Sequence, residues 1–136
     1  MRIVIDTNRI MAAVLKESVT RKIIFSKKIN FVTPDGVKEE VIKYKNYLSE
    51  KTGLNSDEIE TLFSKLMNYI RIIPTNTIQP YMEKADSIMR DIDLKDSIFI
   101  ACALAVKCEG IFSHDKHFEK QNKIKIWKIE DLLEII

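Results

Sequence analysis

Arg2-Ile3-Val4-Ile5-Asp6-Thr7-Asn8 runs from a strand into a helix with an acid at the joint. Ile3 to Ile5 form a short β-branched run of the kind found in buried strands. Thr7 and Asn8 are cap-type residues, and the pattern predicts a helix from Arg9 to about Lys16. A second short helix, Thr20 to about Ser26, completes the crossover to a strand at Phe31-Val32-Thr33, ended by Pro34-Asp35-Gly36.

Beyond that strand the spacing predicts an amphipathic helix from Val37 to about Lys51, with the stripe Val37, Val41, Tyr44 and Leu48. Gly53 stops it. Asn55 and Glu58 form a capping-box start to a helix carrying Ile59, Leu62, Phe63, Leu66, Met67 and Ile70 on one face. These two helices read as a hairpin over about 37–70, with their stripes as core. Ile70 to Ile73 also reads as a third strand, and Gln79 to about Asp91 as a helix. Asp93-Leu94-Lys95 is a short connection. Asp96 then opens a helix to Val106 that is apolar all round and expected to be buried on most sides. Ile111 to Ser113 and Ile124 to Ile129 are the last strands, and Glu130 to Ile136 a closing helix. Strands alternating with helices argue for an α/β fold with a mostly parallel sheet, in one domain over 1–136.

The 136 residues suffice for one compact domain, and 46% hydrophobic content allows a substantial core. Gly and Pro, three of each, are too scarce for a turn-rich all-β sandwich or a disordered chain. A net charge of +2 does not by itself imply nucleic acid. Cys102 and Cys108 share one apolar helix and read as small hydrophobes in a reducing compartment. The apolar stretch Ile98 to Val106 is far short of a membrane span, and the N-terminal run ends too early for a secretory signal, so a cytoplasmic protein is expected.

Acids mark the segment ends. Asp6 closes the first strand, Asp96 opens the apolar helix, and Asp115 follows Gly110-Ile111-Phe112-Ser113-His114. Each could simply cap a helix. Right-handed crossovers leave strand C-termini on one edge, however, where α/β sheets build their sites. Glu39 and Glu40 compete for a fourth place. At about 100° per residue Glu40 flanks the Val37–Val41 stripe and Glu39 points nearly opposite. Carboxylates gathered together raise one another's pKa unless a cation compensates. All-oxygen ligands suit Mg²⁺ or Mn²⁺, and the natural chemistry of such a site is phosphodiester hydrolysis.

Asp6-Thr7-Asn8, Glu40 on a helix after the second strand, Asp93-Leu94-Lys95-Asp96 opening an Ala-rich helix, and Ser113-His114-Asp115-Lys116-His117-Phe118 after a strand together resemble the PIN domain family. The resemblance spans the whole chain. It implies a three-layer, Rossmann-like sheet of about five parallel strands in order 3-2-1-4-5, flanked by helices. It implies Mg²⁺- or Mn²⁺-dependent ribonuclease activity leaving a 5′-phosphate and a 3′-hydroxyl, commonly that of the toxin in a VapBC-type toxin–antitoxin pair. The matching acids are Asp6, Glu40, Asp96 and Asp115, as catalytic residues and metal ligands. Asn8 and Ser113 match polar positions that brace such sites, and Asp93 is a secondary candidate. The family also implies an antitoxin partner and a homodimer.

The chain departs from the family where Thr-Gly-Asp-x-Asp-Phe is common. His114 replaces a small residue and His117 an accessory acid, which leaves the metal count open. These histidines could contact phosphate or ligate a softer metal, but the expectation is that they are surface residues of a loop. Arg9, Lys43, Lys45, Lys95 and Lys116 are candidates to hold an RNA backbone, although most are expected to form a solvated face. A non-catalytic PIN-type binding module and a housekeeping RNA-processing nuclease are the alternatives to a toxin. A phosphotransfer receiver would want an acidic pair after the first strand, and a haloacid-dehalogenase-type phosphatase Asp-x-Asp. Asp6-Thr7-Asn8 supplies neither.

Overall fold

β1 spans Arg2–Ile5, and Ile3, Val4 and Ile5 are fully buried. A central parallel strand is covered on both faces and therefore carries a continuous apolar run. β1 holds that place. β2 (Asn30–Pro34) pairs with it in parallel on one side, Val4 opposite Val32. β4 (Ile111–Phe112) pairs in parallel on the other, Val4 opposite Ile111. β3 (Ile70–Ile73) and β5 (Ile126–Trp127) complete a five-stranded, all-parallel sheet in order 3-2-1-4-5. The computed structural model describes residues 1–15 and 18–136. The expected helix end at Lys16 lies outside the described residues.

Strand residues alternate between faces, and each face has its own core. Ile3, Ile5, Phe31 and Phe112 pack with α1 (Thr7–Leu15), α2 (Ser18–Phe25), α3 (Val37–Lys43), α4 (Lys45–Thr52), α5 (Ser56–Met67) and α9 (Ile129–Leu133). Val4, Val32 and Ile111 pack with α6 (Thr75–Ile78), α7 (Met82–Met89) and α8 (Ser97–Ala105). In α8, Ile100, Ala101, Cys102 and Ala103 are buried, while Ile98, Phe99 and Leu104 are half-buried. Among the described residues no helix is long and apolar enough to cross a membrane.

Several elements differ from the sequence expectation. The helix expected over Val37–Lys51 is two helices, because the backbone leaves helical dihedrals at Tyr44 (φ −99°, ψ 13°). Tyr44 ends α3 and begins α4, and its side chain is 40% exposed rather than on the buried stripe. Val37, Val41 and Leu48 are buried as expected. Gly53 closes α4 in the left-handed region, and the Asn55–Glu58 capping box opens α5. Ile70 belongs to β3 and not to the face of α5. The helix expected over Gln79–Asp91 opens as a 3-10 turn, Gln79–Tyr81, with Pro80 in its first turn where no N–H is needed, and is α-helical over Met82–Met89. β4, β5 and α9 are shorter than expected.

Gly110 sets the approach to β4. Its φ is +145°, and a Cβ there would collide with the Lys125 carbonyl oxygen and the Trp127 ring. The Trp127 indole Nε1 donates to the Glu109 carbonyl at 2.9 Å across the same contact. This close approach holds the start of β4 against β5.

Candidate functional site

The strand order reverses between β1 and β4, and open α/β sheets bind ligands outside the strand C-termini at such a point. Asp6 follows β1 directly and is buried. Its Oδ1 accepts the Arg9 backbone N–H at 2.8 Å, so the capping role is real. Its Oδ2 accepts the hydroxyl of Ser113, which follows β4. Burial pushes the Asp6 carboxyl up to about 6, with nearby Asp115 adding to the rise, against the opposing pull of those two hydrogen bonds and the Arg9 charge. Ser113 Oγ also accepts the Asp115 backbone N–H at 3.0 Å. One buried hydroxyl thereby ties together the acids after the two central strands.

Asp96 precedes α8, but its side chain makes no capping hydrogen bond. It is turned instead toward His117, whose Nδ1 lies 3.2 Å from Asp96 Oδ2. The same nitrogen lies 3.3 Å from Asp93 Oδ2 and 3.5 Å from Asp115 Oδ1. Burial raises the Asp96 pKa, and the neighbouring charges of Asp115 and Asp93 raise it further, while the contact with His117 opposes them. Asp93 accepts the Lys95 backbone N–H at 2.9 Å and Asp115 accepts that of His117 at 2.9 Å, so both acids are held by their own loops.

A cleft of about 410 Å³ lies over this edge, lined by Asp6, Asn8, Glu40, Lys95, Asp96 and Asp115 among others. Glu40 lines it from α3 on the far wall and is solvent-exposed; Glu39, also exposed, is not among the lining residues. Asn8 is exposed at the rim, whereas Ser113 is buried beneath it. Of the candidate RNA-holding cations, only Lys95 is among the described lining residues. Lys45 is drawn away to an ion pair with Glu60, and Lys43 lies over the Tyr44 ring. Arg9 turns its backbone and its charge toward Asp6. Lys116 and His114 are exposed, and the His114 ring stands edge-on to Phe112 at 6.2 Å.

His117 lies, as expected, in a surface loop and is half-exposed, and its Nδ1 also sits among three carboxylates. Asp93, ranked behind the other acids, belongs to the same group: Asp93, Asp96 and His117 bring ligand atoms close enough to share a metal ion. The sequence signal is the three-residue spacing of Asp93 and Asp96, with Asp93 the extended cap of the 3-10 turn Leu94–Asp96 and Asp96 its last residue.

A larger cleft of about 750 Å³ opens at the other end of the strands, where Arg2, Lys27 and Arg71 are among its lining residues. Its described lining holds no Asp, Glu, His or Cys, so it offers no comparable ligand set. Cys102 and Cys108 are free thiols, pushed up by burial to about 12 and about 11, and remain protonated.

A family model described as PIN domain matches residues 4–134 of the chain. Among curated proteins and solved structures, none matches it significantly.

Proposed function

The chain belongs to the PIN domain family, and we propose that it is a divalent-metal-dependent endoribonuclease. PIN domains are generally nucleases, and the observation that carries the reading here is the convergence of Asp6, Glu40, Asp96 and Asp115 on one cleft. The donor set fits a divalent cation. It is dominated by carboxylate oxygens, and burial above all, with repulsion from neighbouring acids, raises the pKa of Asp6 and Asp96.

In this reading Asp6, Asp96, Asp115 and Glu40 would hold the metal. When bound, the cation supplies charge neutralisation at the phosphoryl oxygens and makes water a competent nucleophile near neutral pH. The protein's part is positioning. Ser113 and the Arg9 amide fix the Asp6 carboxylate, and the Ser113 hydroxyl fixes the start of the Asp115 loop. Glu40 closes the opposite wall, and Lys95 offers its charge to the RNA backbone. Cleavage would leave a 5′-phosphate and a 3′-hydroxyl. The protein acts in the cytoplasm, as one domain over 1–136.

A toxin of a toxin–antitoxin pair is the favoured role, with a housekeeping RNA-processing nuclease as the alternative. Ile42, Tyr44 and Tyr47 are exposed on the outer side of α3 and α4 and support a partner-binding face for an antitoxin or a second copy. The activity is tested by RNA cleavage with Mg²⁺ or Mn²⁺ in wild type, Asp6→Asn and Asp96→Asn. Cleavage in wild type alone supports the assignment, and equal activity in all three removes it. RNA retained without cleavage in any metal would identify a non-catalytic binding module.

A further inference from the structure

We propose that His117 is a metal ligand, and that with Asp93 and Asp96 it makes the site select a first-row transition dication over Mg²⁺. This rests on the metal-dependent reading above and adds to it the identity of the ion. His117 Nδ1 faces Asp96 Oδ2 at 3.2 Å, Asp93 Oδ2 at 3.3 Å and Asp115 Oδ1 at 3.5 Å. A ring nitrogen carries at most one proton and can satisfy only one of these oxygens well.

The spacing suits a shared cation better. With metal–ligand bonds of about 2.1 Å, adjacent ligands stand roughly 3.0 Å apart at octahedral angles and about 3.4 Å at tetrahedral ones. The three distances at Nδ1 fall at or near that range.

The group is also held in place before any ion arrives. Phe118, next to His117, is buried and packs edge-on against Phe99 of α8 at 6.1 Å. The His117 N–H is bound to Asp115, and the Lys95 N–H to Asp93. The ring therefore hangs from an anchored loop beside the start of α8, where Asp96 stands. Mg²⁺ takes hard oxygen ligands and gains little from imidazole, whereas Mn²⁺, Fe²⁺ and Zn²⁺ accept it, with affinity rising along that series toward the later metals. An imidazole in place of an accessory carboxylate removes one negative charge and adds a softer donor, and both changes disfavour Mg²⁺ relative to those ions.

Mn²⁺ is the probe. Electron spin-echo modulation of Mn²⁺ bound to the full chain reports directly coordinated imidazole nitrogen, independently of any RNA cleavage. The expected result is a nitrogen coupling in wild type and in His114→Gln that disappears in His117→Gln while Mn²⁺ stays bound. The Mn²⁺-to-Mg²⁺ affinity ratio from titration should fall at least tenfold in His117→Gln and also in His117→Asp. Mn²⁺ bound to wild type without nitrogen coupling overturns the inference and leaves the nuclease reading standing. Failure of wild type to bind Mn²⁺ or Mg²⁺ at all overturns both.

Discussion

Asp6 shows how a site residue can weaken the fold that carries it. Its carboxyl is buried and its pKa lies at about 6 against an ordinary 3.8. The folded protein therefore holds this proton more tightly than the unfolded chain does. Asp6 costs nothing below pH 4, where it is protonated in both states. The cost grows as pH rises from about 4 to about 6 and is complete above that, at about 3 kcal/mol by linkage. Asp6→Asn keeps the shape and removes the charge. Without metal it should unfold at higher urea than wild type at pH 7, with the gap closing as pH falls from about 6 to about 4. Urea midpoints at several pH values check this, and equal midpoints at pH 7 would refute it. The placement of Asp6, Asp96 and Asp115 at segment ends, where they line the cleft, was legible in the sequence because strand ends and helix starts are local features. His117 was not, because its neighbours Asp93 and Asp96 come from another loop, 21 residues away in the case of Asp96.

Elements with strong local signals were legible. The β-branched run of β1, the capping box of α5 and the apolar run of α8 each declare themselves within a few residues. The break at Tyr44 did not, since Val37, Val41 and Leu48 keep helical spacing on both sides of it. Nor did the shortness of β4 and β5, which is set by two residue pairs across the sheet rather than by composition. The link between those strands depends on Gly110, where a side chain meets both a positive φ and the Lys125–Trp127 backbone and ring. Gly110→Ala should destabilise the protein by about 2–4 kcal/mol, combining backbone strain with a clash that neither neighbour can relieve cheaply. Thermal and urea unfolding check the value, and a loss below about 0.5 kcal/mol would show that the close approach is not maintained.

Across the whole molecule, the order 3-2-1-4-5 brings the ends of β1 and β4 together at the sheet's reversal, and α3 and α8 supply the cleft walls. That arrangement was expected from the family resemblance, and the sheet has it. Partner surfaces were less legible. Val37, Val41, Leu48, Ile59, Phe63 and Leu66 of the 37–70 segment are core, as expected, but Tyr44 of the expected stripe lies outside it, as do Ile42 and Tyr47. If they form a partner face, Ile42→Asp with Tyr47→Asp should abolish self-association or antitoxin binding in sedimentation velocity while leaving the fold intact. Unchanged association would place the interface elsewhere.

RNA cleavage by the acids at the sheet's reversal, with the help of a divalent ion, is the proposed activity. The most direct measurement is the single-turnover cleavage rate of RNA by wild type and Asp96→Asn, with Mn²⁺ and with excess chelator, both proteins verified as folded by circular dichroism. The expected result is Mn²⁺-dependent cleavage giving 5′-phosphate ends, abolished by chelator and slowed roughly a hundredfold or more in Asp96→Asn. Cleavage that survives the chelator, or that Asp96→Asn performs at the wild-type rate, would contradict it.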